Sequence, residues 1–491
     1  MAWNMDLANR ALAPSTSERQ GSGFGPRAWI AIAIIVIASF AYNRWLLDAR
    51  TFFYVDDWQW LWRAEFFPWS APEFSSLFPS SVYNDRPVGA AIIKAGYTAF
   101  GLDHRAFQLV WLALHTVNCV LAYAIARRFT SHAGALLAGV LSALWFSANG
   151  AVGWTTAIFD LFAATLCLAI VLLRQMSRQR GDRIALDLAG AACYLVAIRT
   201  KEFAIGMIAV LFVLNVLVER QSIRATIRQL LPYLAVFLVY AARYAQLVGT
   251  STWSSGDPYK PQLSVSSIAT NLALYVSKLF YAETRVESIA VVVVVLMFGV
   301  GLAVANGSAR RAALWGIASF IILLSPLLLL PARVDPLYLY APHFFVALAI
   351  GALVTDRLRA TAAAALVVAA ILIPPIWPHP RSHIIDFYYD LGERNRALFH
   401  SAVKILERAP PGSTVFISGL EPFFNPFSTQ PGNAVNVGLR QFDVKVDIEG
   451  TEGDLARRFC EAKGARYFLR ADGKRLSDVT GDAESACERS R

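Results

Sequence analysis

Two adjacent carboxylates, Asp56 and Asp57, stand inside an aromatic run, Tyr54-Val55-Asp56-Asp57-Trp58-Gln59-Trp60-Leu61-Trp62-Arg63. Side by side the two acids repel each other, and lipid headgroups give them no compensation. A belt of Trp and Tyr at a membrane surface accounts for the rings but not for the acids. A carboxylate held against apolar rings has a raised pKa and suits a general base. The structural alternative is a cap at a helix N-terminus, where Asp is common. Tyr54 and Trp58 flank the pair as supporting rings.

Four further groups carry charge that an apolar chain does not need for packing. Arg86, in Asn84-Asp85-Arg86-Pro87, can grip a phosphate with two bonds, or snorkel to headgroups. Asp160 closes Trp154-Thr155-Thr156-Ala157-Ile158-Phe159-Asp160 at the entrance of an apolar run, and acids at membrane depth usually serve a function. Arg199-Thr200-Lys201-Glu202 packs three charges into one tight turn that binds a phosphate or forms a structural ion pair. Arg333 opens Arg333-Val334-Asp335-Pro336-Leu337-Tyr338-Leu339-Tyr340. His115 and Asn118, inside an apolar run, read as hydrogen-bonding groups between helices. Gly21-Ser22-Gly23-Phe24-Gly25 has no strand before it, so no nucleotide site follows.

The elements that position these groups are membrane spans. Of the 491 residues, 56% are hydrophobic and 16% charged, and the apolar excess falls in blocks such as Trp29 to Leu47 and Ala313 to Leu330. Such blocks match the roughly 20 residues that cross a hydrocarbon core as a helix. The expected fold class is an all-α polytopic membrane protein of about eleven helices with a small C-terminal α/β domain. The expected spans are 28–48, 106–126, 133–150, 158–174, 184–199, 203–218, 230–247, 288–305, 313–331, 338–354 and 361–377. The formal charge of +10 comes from Arg residues clustered in short loops, the positive-inside pattern, rather than from a basic groove for nucleic acid.

Arg127–Arg128, Arg174 to Arg183, Arg220 to Arg228, Arg310–Arg311 and Arg357–Arg359 share one side, which is the cytoplasm, together with the leader 1–27. All five charged elements then fall on the other side. The chain divides into that leader, a transmembrane region 28–377 with outward loops 49–105 and 248–286, and an extracytoplasmic region 378–491. In the last, Leu391 to Arg408 reads as a helix. Thr414–Ser418, Asp443–Ile448 and Tyr467–Arg470 read as strands around a helix at Leu455–Lys463. Cys460 and Cys487 lie there and could pair in an oxidising compartment, whereas Cys119, Cys167 and Cys193 are apolar fillers.

The order of these motifs resembles the GT-C superfamily of glycosyltransferases. It runs from an acidic pair after the first span through Arg-Pro, an aliphatic stretch ending Phe-Gly, and a His/Asn-bearing span ending Arg-Arg. It continues with Phe-Asp, Lys-Glu and a late Leu-Tyr-Leu-Tyr-Ala-Pro. The resemblance covers residues 28–355. It is nearest the protein O-mannosyltransferase, tetratricopeptide-type O-mannosyltransferase and lipid A aminoarabinose transferase branches. It implies transfer of a sugar from a polyprenyl-phosphate carrier to an acceptor hydroxyl, with inversion, at the outer face of a bacterial inner membrane. It implies that Asp56 activates the acceptor, with Asp57 as neighbour or alternative and Asp160 as the second acid. Arg86, Lys201 and Arg333 would meet the carrier phosphate, with Arg199 and Glu202 in support. A divalent cation (Mg or Mn) held by Asp56, Asp57 and Asp160 would be compatible with this scheme but is not required by it. The pair is Asp-Asp where mannosyltransferases have Asp-Glu, and no tetratricopeptide array follows, which shifts weight from a protein acceptor toward a cell-envelope glycan or lipid.

The rival reading is a transporter or flippase of an amphiphilic lipid-linked substrate. That function favours polar or broken segments at mid-membrane, whereas here the charges gather at the outward ends. A purely structural scaffold leaves the acid pair without a purpose.

Overall fold

The computed structural model describes residues 25–80, 86–145, 149–250, 260–280, 285–331, 333–354, 362, 365, 378–421, 424–429 and 432–489. Residues 1–24 of the leader, Asn84 and Asp85, residues 251–259 and 281–284 of the second outward loop, and the expected span 361–377 except 362 and 365 lie outside the described residues.

Helix α1 (Pro26–Asn43) opens with Pro at its first turn and tightens into a 3₁₀ turn, Arg44–Leu47. The outward loop then carries α2 (Asp56–Phe66) and α3 (Pro87–Phe100), with the single helical turn Pro72–Ser75 between them. Helix α4 (His104–Ala126) is capped by Asp103, whose carboxylate accepts the N–H groups of Arg105 and Ala106. The bundle continues with α5 (His132–Leu144), α6 (Ile158–Gln179), α7 (Ile184–Thr200), α8 (Met207–Val213) and α9 (Ile223–Thr250). It closes with α10 (Val265–Leu279), α11 (Arg285–Val304), α12 (Gly307–Leu328) and α13 (Tyr340–Leu353).

Among the described residues, six helical segments are long and apolar enough to cross a membrane: Pro26–Leu47, His104–Ala126, Thr155–Gln179, Ile223–Leu247, Gly307–Leu328 and Pro336–Leu353. His132–Leu144, Glu202–Val218 and Val294–Val304 are apolar but shorter. The chain is an integral membrane protein, and the count of about eleven full-length spans is not reproduced. The expected span 361–377 falls almost entirely outside the described residues and Val294–Val304 is part of the longer helix α11, while for two other runs the local geometry shortens the α-helix. The apolar run 203–218 begins as a 3₁₀ turn (Glu202–Gly206) and ends in a π turn (Leu214–Val218), leaving a short α-helix between them. The helix His132–Leu144, at 1.5 Å per residue, reaches roughly 20 Å, short of a core about 30 Å thick.

The C-terminal part begins with α14 (Pro378–Ile405). A four-stranded sheet follows, in the order β2-β1-β3-β4, with β1 (Thr414–Ser418), β2 (Lys445–Asp447), β3 (Arg466–Asp472) and β4 (Arg475–Asp478). Strand β1 runs parallel to both neighbours, while β3 and β4 form an antiparallel hairpin. Helices α15 (Ala434–Leu439), α16 (Glu452–Glu461) and α17 (Thr480–Arg489) flank the sheet. One sheet face carries Phe416 and Phe468 against Leu455 and Phe459, with the Cys460–Cys487 disulfide joining α16 to α17. The other face, Val415, Ile417 and Leu469, belongs to the main core together with Leu398 and Phe399 of α14, and the Phe399 ring meets Phe52 and Trp58 of the outward loop. A Cβ on Gly392 would run into the Arg50 carbonyl, so glycine is what lets α14 seat against residues 50–52.

His115 and Asn118 lie between helices as expected. Both meet the Tyr340 hydroxyl, at 2.9 and 3.1 Å. At the opposite end of α6 from Asp160, Arg174 is buried and bonds Asn215 (3.1 Å), Asp187 (3.1 Å) and Asp182 (2.9 Å), tying four chain segments together.

Candidate active site

The turn before α2 divides the acid pair. Phe52, Phe53 and Tyr54 are buried, and Val55 follows at φ 48°, ψ −120°. A β-branched residue at positive φ stores on the order of 1–3 kcal/mol of strain and persists only where its surroundings hold it. Asp57 is the holder. Its Oδ2 accepts the Tyr54 N–H at 3.1 Å, and its Oδ1 accepts the Thr156 N–H at 2.8 Å and the Thr156 hydroxyl. Asp57 is 1% exposed. Burial pushes its carboxyl up to about 7, against the pull of those three hydrogen bonds.

Asp56 points elsewhere. It is half-buried and, among the described residues, its carboxylate makes no hydrogen bond or ion pair. Burial raises its pKa, and the charges of Arg333, Arg86 and Lys201 act in the opposite direction. An ionisable oxygen without a partner, beside three cations, can take up a proton and return it.

Asp160 is 2% exposed in the first turn of α6. Its Oδ2 meets the Lys201 Nζ at 3.0 Å, and its Oδ1 has no partner among the described residues. The Lys201 ammonium also stands 5.4 Å from the centre of the Tyr338 ring. Arg86, in the left-handed region at φ 51° just before Pro87, donates from Nε to Glu202 at 2.9 Å. Trp60 of α2 meets Phe159 of α6 edge to face at 4.9 Å, locking the two acid-bearing helices together.

Asp56, Arg86, Asp160, Lys201, Glu202 and Arg333 therefore gather at one end of the bundle. Arg199 stands beside them but turns to the outward loop, donating to the Ser76 carbonyl (3.3 Å) and hydroxyl (3.0 Å). Tyr54 stacks on Trp154 at 5.7 Å and meets Tyr388 of α14 at 6.1 Å. Trp58 is not at the cluster. It is fully buried and stacks on Phe399 at 4.9 Å.

An apolar cavity of about 290 Å³ lies beside the cluster, lined by Leu77 and Phe78 of the loop, Leu195 of α7, and Ala235, Val239 and Tyr240 of α9. Tyr240 stacks on Tyr244 at 6.0 Å, and both lie within electrostatic reach of Glu202 and Arg86. Arg243 donates to the Pro79 carbonyl at 3.2 Å and holds the loop over the cavity.

The three aspartates do not fit a shared cation. The Asp57 oxygens are filled by amide and hydroxyl donors and one Asp160 oxygen by an ammonium. Among the described residues no three His, Cys, Asp or Glu side chains converge on a metal.

Several contributors were not assigned a role from sequence. Thr156 and Tyr338 stood within the motifs without one. Lys94 of α3 donates to the carbonyls of Ala64 and Phe67, each at 2.6 Å, and so caps the C-terminal end of α2. Tyr388 and Arg243 arrive from distant parts of the chain, and no local signal marks them.

No protein-family profile matches the chain, and no curated protein matches it either. Among solved structures, ArnT from Cupriavidus metallidurans bound to undecaprenyl phosphate is similar at 14% identity and a TM-score of 0.51, covering 92% of this chain and 98% of that one. The apo form of the same protein gives 14% identity and 0.50, covering 90% and 92%. The Archaeoglobus fulgidus oligosaccharyltransferase in its apo form gives 12% identity and 0.47, covering 90% and 69%. At these identities the likeness bears on the fold alone: the chain is similar in overall fold to the two ArnT structures.

Proposed function

We propose that the chain is a membrane glycosyltransferase that moves a sugar from a polyprenyl-phosphate-linked donor to an acceptor hydroxyl, with inversion. The observation that carries this reading is the division of the acid pair, with Asp57 fully bonded into the turn and Asp56 left facing Arg86, Lys201 and Arg333. In the proposed step Asp56 accepts the acceptor's proton as its oxygen attacks the anomeric carbon. The bond from that carbon to the phosphate oxygen breaks, and the departing phosphate is stabilised by Arg86, Lys201 and Arg333. The cavity between the loop, α7 and α9 offers an apolar path for the prenyl tail, and exposed Leu77, Phe78 and Val239 line it. ArnT bound to undecaprenyl phosphate, on the same scaffold, supports a donor of this class.

The proposed site faces the extracytoplasmic side, periplasmic in a bacterial inner membrane, with the leader 1–27 in the cytoplasm and 378–491 outside. The Arg-rich loops and the Cys460–Cys487 bond support this orientation. The acceptor on that side is a cell-envelope glycan, a lipid or a protein.

The test is a mass-spectrometric assay of the purified protein in nanodiscs with a panel of polyprenyl-phosphate sugars. Release of polyprenyl phosphate together with a glycosylated acceptor, lost in Asp56→Asn, is the expected result. Movement of intact donor across vesicles without cleavage would instead favour transport.

A further inference from the structure

We infer that the chain carries a second anion site, built from residues outside the Asp56 cluster, that binds the phosphate of an anionic phospholipid headgroup. It is a cavity of about 280 Å³ where the first span ends, where α4 begins and where α14 packs over both. Phe52, Asp103, Arg105, Arg396, Phe399 and His400 are among its lining residues.

Two guanidinium groups are held there by the same turn of backbone. Arg105 donates from Nε to the Leu47 carbonyl at 3.0 Å, and Arg396 donates from Nη2 to the Thr51 carbonyl at 2.8 Å. The Arg396 guanidinium also lies 5.0 Å from the centre of the Phe52 ring. Among the described residues neither forms an ion pair; burial weighs most against the Arg396 charge, Glu393 and Asp48 favour it at a distance, and Arg105 opposes it.

Each nearby carboxylate is committed to another partner. Asp103 accepts the Arg105 and Ala106 N–H groups at the start of α4. Asp48 pairs with Arg50 at 3.0 Å, and Glu393 with Lys474 at 2.7 Å. Two like charges fixed by backbone carbonyls at the rim of a cavity, with Asp48 and Glu393 ion-paired elsewhere and Asp103 engaged through one oxygen at the start of α4, form a prepared fork for a phosphate.

Depth selects the source. The cavity lies at the ends of Pro26–Leu47 and His104–Ala126, two segments long and apolar enough to cross a membrane, and a bilayer spanned by them would set it at headgroup level. Along α4 beyond it, Leu109, Val110 and Val117 are exposed, a surface for acyl chains. A phosphate held by Arg105 of α4 and Arg396 of α14 ties the C-terminal part to the bundle.

The experiment uses the full chain in detergent and in nanodiscs, with phosphatidylglycerol, phosphatidylcholine and inorganic phosphate as probes. Native mass spectrometry reads retained lipid and thermal unfolding reads protection. Phosphatidylglycerol, but not phosphatidylcholine, should stay bound and raise the unfolding midpoint. Retention should fall by about tenfold in Arg105→Gln/Arg396→Gln, the scale of a lost charge-assisted fork. Arg105 is exposed, so Arg105→Gln alone tests the site even where the double variant fails to fold, and it should weaken retention in the same direction. Equal retention of the two lipids, or unchanged retention of phosphatidylglycerol in Arg105→Gln, overturns the inference. Equal protection by inorganic phosphate without lipid also overturns it, in favour of a soluble-anion site.

Discussion

Asp56 and Asp57 occupy successive positions at the start of α2, about 100° apart around the axis, so one turns to the bundle when the other turns to the cluster. Asp56→Asn is nearly isosteric and breaks no hydrogen bond among the described residues. It should lower turnover by about 10²–10⁴-fold, the usual worth of a general base, with unfolding and donor binding unchanged. Asp57→Asn sets an amide N–H₂ against either the Tyr54 N–H or the Thr156 donors. It should lower stability by about 1–3 kcal/mol and slow turnover less, as measured by calorimetry beside the transfer assay. A dead Asp57→Asn beside an active Asp56→Asn would exchange the two roles.

The same pair sets a pH dependence. Burial holds both carboxyls above the ordinary range, Asp57 at about 7. Activity that needs ionised Asp56 and an intact Asp57 tie should therefore rise with pH through an acid limb displaced above that range. Stability moves the other way. The folded state binds the Asp57 proton more tightly than the unfolded chain does, so this group's contribution is full below about pH 4 and is lost as pH climbs to about 7. Profiles of transfer rate and of unfolding midpoint with opposite slopes between those limits are expected, and Asp57→Asn should flatten the stability profile.

Lys201 meets the donor phosphate in the proposed step, and it also has a structural task. Removing it leaves the buried Asp160 without its cation, a loss usually near 3–5 kcal/mol. Lys201→Met should therefore destabilise the fold as well as weaken donor binding. Adding Asp160→Asn should restore stability without restoring donor affinity. If the single variant unfolds like the parent protein, the ion pair contributes little and Lys201 serves the donor alone.

At the scale of elements, apolar run length made the spans visible but could not distinguish a helix from the turns that extend it. Glu202–Gly206 and Leu214–Val218 continue the apolar run on either side of the helix despite Glu202 and Asn215, so the sequence reads one crossing where three local geometries meet. Strand β1 coincides with the expected Thr414–Ser418 because it is central, parallel and buried, and so reads as an unbroken apolar run. Strand β4 escaped notice because Leu476 is its one buried residue, although Asp472-Gly473, with Gly473 at φ 58°, is a hairpin signal. The gathering of site residues was legible in order and side. The choice between Asp56 and Asp57 was not, since it depends on the Val55 backbone and on Thr156, a long-range contact. Trp58 was misplaced for the same reason, because Phe399, on which it stacks, arrives from α14. Lys94 shows how an element can matter to the site without touching it. Lys94→Met would remove the donor to two carbonyls at the C-terminal end of α2. Faster hydrogen exchange across residues 64–68 and slower transfer are expected, with the Asp56 acid limb unmoved.

Over the whole molecule the charges form two layers. Asp160 and Arg174 lie on the same helix, separated by roughly 21 Å at 1.5 Å per residue, and each anchors a polar cluster. Between the layers the core is mostly apolar, which is the profile of a bilayer crossing. The Arg174 end carries the basic loops, so the proposed orientation puts it in the cytoplasm and the Asp56 end outside. The sheet packs against α14, which seats against residues 50–52 at the Asp56 end, so it should share that side. Cys460 and Cys487 give a chemical readout of this. In intact cells a membrane-impermeant maleimide should label neither until a reductant is added, and both afterwards. Reporter fusions at residues 20 and 480 should report opposite faces. If both fusions report the same face, the number of crossings is wrong by one. If the two cysteines are labelled without reductant, the disulfide is absent and loses its value as evidence for an oxidising compartment. If they stay unlabelled after reduction while the fusion at residue 480 reports the cytoplasm, the sheet and the Asp56 cluster lie inside together, and the donor must be reached from the cytoplasmic leaflet.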